Sequence, residues 1–321
     1  SVIIPLYIPE EYNYYKDAFK IFEYCLKSIH KTSFSNIKIS VISDGSCNSI
    51  NAKLLQFQGE NYIDELIIEK ENIGKINSIL KVLRTTQERL ITITDADVLF
   101  DNNWEKEVLE VFKEFPKAGS VSPVPIYRTH FRLTSNIWFD NLFSSRLKFR
   151  KVLDPESMTL FAKSIGWSWL DLKYKDVIAT LKNKNDKIVV LGSSHFVCTY
   201  KREVFSKIPK NNTIYKLGGD SEYLYTDLPV LKMGGYRLAT YGNYAFHLGN
   251  VMEDWMENKF NSLIKQNKEY YNPNKLKALK SRKLYYLFTE KIFRKILYNT
   301  KFQKGILRIK GLTKEQIDNY I

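Results

Sequence analysis

Short aliphatic and β-branched runs alternate with amphipathic helical patterns over the first 125 residues. This alternation constrains the fold more than any other feature, because it predicts β–α–β units that build a mostly parallel, right-handed α/β sheet. The predicted strands are residues 2–7, 37–43, 63–68, 90–94 and 120–124. The predicted helices are residues 18–29, 50–57, 73–83 and 100–115, the last with Asp101 as its N-cap.

Polar residues follow several of these strands, at the sheet edge where α/β folds bind their ligands. They are Tyr7, the Ser-Asp-Gly-Ser run at 43–46, Asn72, and the Asp-Ala-Asp run at 95–97. The first strand is not followed by a GxGxxG motif, and the chain contains no GxxxxGK[ST] motif. Their absence argues against a dinucleotide-dependent dehydrogenase and against a P-loop NTPase.

Asp95 and Asp97 directly follow the apolar strand at 90–94. Two carboxylates at the end of a buried strand are costly unless a cation or hydrogen-bond donors neutralise them. Hard oxygen ligands suit Mg²⁺ or Mn²⁺, which also bridges the oxygens of a diphosphate. The alternative is that Asp97 caps a helix and Asp95 is an ordinary turn residue.

The positive charge of the chain is concentrated near its C-terminus. Lys and Arg total 49 against 35 Asp and Glu, a net charge of +14. Residues 256–321 carry 16 basic and 5 acidic side chains, or +11, which leaves +3 for residues 1–255. We therefore expect a basic helical C-terminal extension at 256–321. Nucleic-acid binding is not expected, since no nucleic-acid motif accompanies the charge.

This extension has an amphipathic pattern, with apolar residues three and four positions apart and basic residues between them. One interpretation is a helix that docks on the domain with a solvated basic face. The other is a basic amphipathic helix that binds an anionic membrane surface. The apolar residues are Tyr285, Leu287, Phe288, Ile292, Phe293, Ile296 and Leu297, and the basic residues are Lys283, Lys291, Arg294 and Lys295.

The cysteines indicate a protein of a reducing compartment. Cys25, Cys47 and Cys198 form no CxxC pair, so a disulfide scaffold or a cysteine zinc site is not expected. No run approaches 18 apolar residues, and no secretory signal is recognisable at the start. The expected location is cytoplasmic, with peripheral binding at the inner face of the membrane if the extension binds lipid.

Four segments, SVIIPLY, SDGS, ENIGKINSIL and ITDADVLF, stand in order within residues 1–125. Together they resemble the family 2 glycosyltransferases of the GT-A fold, and a weaker similarity continues to about residue 250. The resemblance implies a Rossmann-like mixed, mostly parallel sheet flanked by helices. It also implies a catalytic domain over residues 1–255, with a nucleotide-sugar-binding half at 1–125 and an acceptor-binding half at 126–255.

The resemblance also implies a donor site. Asp97 would be a direct metal ligand, and Asp95 would reach the ribose or the metal. Asn72 would contact the base or support its loop, and Lys75 would lie near the phosphates or the base; the alternative for Lys75 is a solvated lysine. The residues expected to bind the nucleotide sugar are Pro5, Leu6, Tyr7, Asp44, Asn72, Lys75, Asp95 and Ala96.

A predicted strand at 187–200 and a helix at 202–208 belong to the acceptor half. By the resemblance, His195 would face the acceptor; the alternative is a packed core histidine. The segment 218–223, Gly-Gly-Asp-Ser-Glu-Tyr, resembles the family's Gly-Glu-Asp-x-Glu-aromatic pattern. Asp220 would then be the general base, and Glu222 would bind acceptor hydroxyls. The alternatives are an N-cap for Asp220 and a capping box for Glu222.

Residues 234–239 resemble the family's Gly-Tyr-(Arg) turn, which leads into the segment 244–247. His247 would there complete the cation site as a metal ligand, and the alternative is a core histidine.

The expected activity is an inverting transfer of a hexosyl or N-acetylhexosaminyl group from a nucleotide-diphosphate sugar, with a UDP-sugar favoured. The acceptor would be a hydroxyl of a glycan or a lipid-linked glycan in polysaccharide assembly, and the cofactor Mn²⁺ or Mg²⁺. Inversion rests on the resemblance alone. Three alternatives are a sugar nucleotidyltransferase, a basic nucleic-acid-binding protein, and a module that binds sugar nucleotide without turnover. The first would need a Gly- and Arg-rich phosphate loop, which the segment PLYIPEEY at 5–12 does not supply.

Overall fold

The structure, a computed structural model, describes residues 1–127, 130–167 and 169–321. Within these ranges the chain forms a mixed sheet and a separate two-stranded ribbon, both covered by helices. The strands are β1 Val2–Leu6, β2 Ile39–Asp44, β3 Glu65–Glu69, β4 Leu90–Thr94, β5 Val98–Phe100, β6 Ala118–Ser122, β7 Leu147–Lys151, β8 Val177–Lys182, β9 Ile188–Leu191, β10 Val197–Lys201, β11 Tyr236–Thr240 and β12 Ala245–His247.

Helices cover the sheet and form most of the C-terminal segment. The α-helices are α1 Ala18–Thr32, α2 Asn48–Gly59, α3 Lys75–Leu83, α4 Trp104–Glu114, α5 Ser135–Asn141, α6 Pro155–Ser164, α7 Leu172–Asp176, α8 Leu228–Lys232, α9 Asp254–Ser262, α10 Lys283–Leu287, α11 Arg294–Leu297, α12 Thr300–Ile309 and α13 Lys314–Tyr320. A π-helical turn, Tyr223–Asp227, precedes α8, and another, Phe288–Phe293, joins α10 to α11.

The ten-stranded sheet has the order β3-β2-β1-β4-β10-β6-β11-β9-β8-β7 among the described residues. Strands β3, β2, β1 and β4 are parallel neighbours, as the alternating pattern predicts. Ile3 and Ile42 face the α3 side, whereas Ile4 and Val41 pack with α1 and α2. Each such side chain contributes about 1.5–3 kcal/mol by leaving water. Burial on both faces thus explains the mainly apolar character of β1, β2 and β4, whereas β3, at the edge of the sheet, is only partly buried.

The second half of the sheet corrects one prediction. The single strand expected at 187–200 is two strands, because the chain turns away after Leu191 at Gly192, whose φ is +101°. Strand β9 pairs antiparallel with β11, whereas β10 runs antiparallel between β4 and β6. His195 therefore lies in the connection between two strands. The segment expected as a helix at 202–208 is a 3₁₀ helix, Arg202–Lys207.

The helix predicted at 100–115 is also wrong at its start. Residues Val98–Phe100 form β5, which pairs antiparallel with β12, and α4 begins only at Trp104 with Asn103 as its N-cap. Asp101 instead forms a 2.6 Å ion pair with Lys259 of α9. The sequence gives no signal of this non-local pairing, because the apolar residues 98–100 fit the start of a helix as well as they fit a strand.

The C-terminal segment is packed on the domain. The predicted boundary after residue 255 falls inside α9, whose Met256 is fully buried against α1. Lys201 of β10 donates from Nζ to the carbonyl oxygen of Lys277 at 2.8 Å, and Leu297 lies in the main core. In the described residues no helix is both long and apolar enough to cross a membrane.

Leu297 and Ile296 offer a matched test of this packing, because Leu297 is 0% exposed and its neighbour 46%. We expect Leu297→Ala to lower the free energy of unfolding by about 2–5 kcal/mol, as for buried leucines in general. Ile296→Ala should change it by no more than about 0.5 kcal/mol. Urea unfolding followed by tryptophan fluorescence measures both. Equal effects of the two changes would show that α11 does not belong to the core.

Candidate active site

Asp95, Asp97 and His247 form the centre of the site. Their ligand atoms all lie within 4.8 Å of one another. The two aspartates follow β4, and His247 is delivered by β12, because its pairing with Val98 of β5 sets it beside Asp97. The Nε2 atom of His247 lies 3.3 Å from Oδ2 of Asp97. Since Asp97 precedes a strand, the alternative of a helix cap is wrong.

The cluster has the electrostatics of a cation site. Burial raises the pKa of Asp97 to about 6, with the charge of Asp95 adding to the effect and His247 opposing it. The Oδ1 atom of Asp97 is shielded from solvent and has no hydrogen-bond partner among the described residues. His247 is oriented by a 2.9 Å hydrogen bond between its Nδ1 and Ser164 Oγ. Two carboxylates and an imidazole therefore fit Mn²⁺ or Mg²⁺, which would satisfy the orphaned oxygen.

A cavity of about 390 Å³ opens beside this cluster at the carboxyl ends of β1, β2 and β4. All the residues expected to bind the nucleotide sugar line it, namely Pro5, Leu6, Tyr7, Asp44, Asn72, Lys75, Asp95 and Ala96. Asp97 also lines it. We refer to it as the donor cavity. Seven further residues line it that were not predicted from the sequence, because they lie outside the quoted motifs: Ile8, Tyr15, Ala18, Ile21, Lys216, Leu217 and Asn250.

Asp44 holds the neighbouring turn in place. Its two carboxylate oxygens accept hydrogen bonds from the backbone N–H groups of Ile73, at 2.7 Å, and Gly74, at 2.9 Å. A side chain at position 45 would collide with this turn, since a Cβ on Gly45 would lie 2.5 Å from the backbone nitrogen of Asn72. The Oδ1 atom of Asn72 has no hydrogen-bond partner among the described residues and is available to a ligand.

The segment around Lys216 closes one side of the donor cavity. Its carbonyl oxygen accepts a hydrogen bond from the backbone N–H of Lys75 at 3.1 Å. Gly74 is required there: its φ is +95°, and a Cβ would lie 2.5 Å from Lys216 Cα. The side chain of Asn77 reinforces the contact by bonding to the backbone of Thr213.

Lys75 links the two halves of the site. Its Nζ lies 2.5 Å from Asp95 Oδ1 and 2.8 Å from Glu222 Oε1. Burial disfavours the charged amine, but the two carboxylates outweigh burial and hold the pKa of Lys75 above its usual range. The alternative of a freely solvated lysine is therefore wrong.

A series of ion pairs continues from Glu222. His195 lies between two carboxylates, with Nδ1 3.2 Å from Glu222 and Nε2 2.6 Å from Asp227. Asp227 is in turn 2.6 Å from the guanidinium of Arg237. Burial opposes protonation of His195, but Asp227 and Glu222 raise its pKa to about 9. The pKa of Glu222 is lowered: burial works against ionisation, but His195 and Lys75 prevail.

A second cavity, of about 540 Å³, lies on the other side of the cluster. Asp95 lines both cavities, whereas His195, Glu222 and His247 line only the second. Its walls are largely aromatic and aliphatic, with Tyr127, Phe161, Ile165, Trp167 and Phe196. We refer to it as the acceptor-side cavity. Asp227 and Arg237 also line it and were not predicted as site residues. Asp227 stands outside the quoted motifs, and Arg237 was matched only as part of the turn at 234–239.

Asp220 is not in the wall of either cavity. It is exposed, just before the helical turn that begins at Ser221, and follows Gly218 and Gly219, which have φ values of +70° and +58°. Among the described residues its side chain has no hydrogen-bond or ion-pair partner. The structure thus leaves Asp220 beside the site, whereas Glu222 and His195 reach into it.

Structural comparison finds several similar solved proteins at low identity. One is the Pyrobaculum calidifontis mannosyltransferase PcManGT in complex with GDP-Man and Mn²⁺, with 17% identity over 75% of this chain and 54% of that one, and a TM-score of 0.41. Another is Staphylococcus aureus TarS, with 12% identity over 78% of this chain and 36% of that one, and a TM-score of 0.44. The chain thus spans about half the length of the first and about a third of the second.

A sequence search of curated proteins gives no match. The family model described as glycosyl transferase family 2, in contrast, matches residues 1–208 of the 321. The matched region includes β1 to β4, Asp95, Asp97 and the donor cavity's wall from Pro5 to Lys75. The chain therefore belongs to glycosyltransferase family 2.

Proposed function

We propose that the protein transfers a sugar from a nucleotide-diphosphate sugar to a hydroxyl group of a glycan or lipid-linked acceptor, with inversion at the anomeric carbon. The carrying observation is the Asp95–Asp97–His247 cluster at the junction of two cavities. A donor in one cavity and an acceptor in the other would meet at this cluster. A cation held there would neutralise the negative charge of the departing diphosphate.

The donor cavity supplies groups for both ends of a sugar nucleotide. We take the donor to be a UDP-sugar carrying a hexosyl or N-acetylhexosaminyl group. Tyr7 and Asn72 would hold the base, with the unpartnered Oδ1 of Asn72 accepting from a base N–H. Lys75 stays charged and faces Asp95, so it neutralises negative charge near the phosphates. Mn²⁺ or Mg²⁺ held by Asp97, His247 and Asp95 would supply Lewis-acid stabilisation of the leaving diphosphate.

The acceptor hydroxyl must lose a proton as it attacks the anomeric carbon. Glu222 is a poor proton acceptor, because two cations keep its pKa low. It is better suited to accept hydrogen bonds from acceptor hydroxyls. We assign the base to Asp220, whose carboxylate is unpaired among the described residues. Asp220 lies in the chain between Leu217, in the wall of the donor cavity, and Glu222, in that of the acceptor-side cavity.

His195 acts through Glu222. With a pKa near 9 it is an imidazolium at neutral pH, and it holds one oxygen of Glu222 while Lys75 holds the other. We therefore propose His195 as a positioning residue that keeps the Glu222 carboxylate ionised and fixed. The buried Asp227 orients the ring from its other nitrogen.

Two isosteric changes distinguish the roles of the carboxylates. We expect Asp220→Asn to lower kcat by about 100-fold or more, the usual range for losing a general base, with donor affinity unchanged. Glu222→Gln should mainly raise the KM for the acceptor. Steady-state kinetics with a panel of sugar nucleotides and acceptors measures both. If Asp220→Asn is as active as wild type and Glu222→Gln is inactive, the base is Glu222.

The cation site can be tested by ligand-induced stabilisation, without turnover. Together with a saturating nucleoside diphosphate, Mn²⁺ should raise the Tm of the wild type by about 5 °C, which corresponds to stabilisation by tight binding to the native state. Asp97→Asn should abolish the Mn²⁺-dependent part of that shift. Asp186→Asn, a change in a carboxylate whose side chain is 79% exposed, is the matched control. A full Mn²⁺ effect in Asp97→Asn would contradict the proposed ligand set.

The raised pKa of His195 predicts how the stability of the protein depends on pH. Its pKa is raised from 6.5 to about 9, so its contribution to stability is complete below pH 6.5 and is lost as the pH rises through 9. His195→Gln should lower the free energy of unfolding by up to about 3 kcal/mol at pH 6 and by much less at pH 10. Urea unfolding between these pH values measures the difference.

His30→Gln is the control, because the Nε2 atom of His30 bonds only to the carbonyl oxygen of Tyr62 among the described residues. Its effect should not follow the same pH dependence. A pH-independent effect of His195→Gln would mean that the ring is neutral in the folded protein.

A further inference from the structure

The helical stretch from α10 to α11 has two apolar sides. One side is buried in the domain, through Thr289, Phe293 and Leu297. The other side is exposed and also apolar, which is unusual for a helix on a protein surface. Five side chains form it and together are named the C-terminal stripe: Leu284 at 82% exposed, Leu287 at 40%, Phe288 at 42%, Ile292 at 55% and Ile296 at 46%.

The C-terminal stripe is contiguous. Leu284, Phe288, Ile292 and Ile296 recur every four residues, so they lie one above another on a helix. Phe139 of α5 extends the apolar surface, because its ring packs on Phe288 at a centroid distance of 5.1 Å and is itself 39% exposed. Exposed apolar patches of this kind mark interaction sites on soluble proteins.

Three lysines directly precede residues of the C-terminal stripe in the chain. Lys283, Lys291 and Lys295 are exposed and belong to no ion pair within the described ranges. They are part of the segment 256–321, whose net charge is +11. The combination of exposed leucine, isoleucine and phenylalanine with lysines on one helix is the pattern of helices that lie in the interface of an anionic bilayer.

The same charges argue against a second copy of the chain as the partner. A twofold contact through the C-terminal stripe would bring the lysines of one copy against those of the other, and like charges facing each other across an interface are unfavourable. Lysine side chains at a bilayer can instead extend their amines to the lipid phosphates. We propose that the C-terminal stripe and its three lysines bind the surface of a membrane that contains anionic lipids.

This surface adjoins the acceptor side of the site. Tyr298, directly after α11, donates from its hydroxyl to the carbonyl oxygen of Phe131 at 3.1 Å. The next residues, Arg132 and Leu133, line the acceptor-side cavity. A membrane bound at the C-terminal stripe would therefore lie near the cavity in which we place a lipid-linked acceptor. The membrane proposal itself stands on the surface alone and does not depend on the catalytic assignment.

Vesicle flotation of the full chain tests the proposal. We expect binding to vesicles of phosphatidylcholine with about a third phosphatidylglycerol at 50 mM salt, and little binding to phosphatidylcholine alone. Each lysine near an anionic surface contributes about a fivefold gain in partition. The triple change Lys283→Gln, Lys291→Gln and Lys295→Gln should therefore lower the partition coefficient by about 100-fold. Leu284→Ser with Ile292→Ser should lower it at least tenfold.

Matched controls change equally exposed residues outside the C-terminal segment. Lys70→Gln, Lys106→Gln and Lys184→Gln remove the same charge, and Leu153→Ser with Leu172→Ser removes the same kind of exposed apolar side chain. Neither control should change binding more than about threefold. Thermal unfolding of every variant shows whether it is folded, and nucleoside-diphosphate binding shows whether the donor site is intact.

Three results would overturn the proposal. The first is no binding of the wild type to anionic vesicles, and the second is an equal loss in the controls and the stripe variants. The third is a dimer in light scattering that Leu284→Ser with Ile292→Ser dissociates, without vesicle binding, which would make a second copy the partner. Vesicle binding that persists when Asp220→Asn or Asp97→Asn is inactive keeps this result separate from the proposed activity.

Discussion

The site depends on placing two carboxylates, Asp95 and Asp97, next to each other at the buried end of a strand. Ionised carboxylates whose oxygens lie within 4.8 Å of each other repel, and burial makes each ionised form costly. The fold answers with one positive or protonatable group for each, Lys75 for Asp95 and His247 for Asp97. One carboxylate oxygen, Oδ1 of Asp97, still has no partner among the described residues. This unpaired oxygen is the observation on which the proposed divalent-cation site rests.

These neutralising groups come from distant parts of the chain, so the site exists only when the sheet is assembled. Lys75 comes from the first turn of α3, His247 from β12, and His195 from the connection between β9 and β10. Glu222 receives both Lys75 and His195, and so joins the donor half to the acceptor half. Acidic and basic groups alternate in this series of ion pairs, so each member has a partner of opposite charge. The series is Asp95, Lys75, Glu222, His195, Asp227 and Arg237. Breaking one member would leave its neighbours unpaired, which costs more than the pair itself contributes.

The sequence predicted the local features of the fold better than the long-range ones. Strands β1 to β4 follow from continuous apolar runs, and the donor-site residues follow from motifs that stand at their ends. Family 2 membership and the mixed sheet confirm the α/β fold of the GT-A class. Residues 98–100 and 192–196 were misassigned because their state is decided by partners far along the chain, Ala245–His247 in one case and two different strands in the other. Asp227 was missed for the same reason, since only folding brings it to His195.

The charge of the C-terminal segment sets it apart from the rest of the chain, whereas its packing makes it part of the domain. By charge, the basic extension begins at residue 256, and the body before it is nearly neutral. By packing, the same residues complete the domain: Met256 fills the space against α1, and Phe293 and Leu297 belong to the main core. Glu290 is buried beside them, and burial raises its pKa to about 7 while Arg294 and Arg237 oppose the shift. Because Arg237 also pairs with Asp227, the ionic chain that begins at Asp95 extends toward the C-terminal helices. Net charge therefore describes the outer surface of this segment, and its buried side is part of the domain that holds the site.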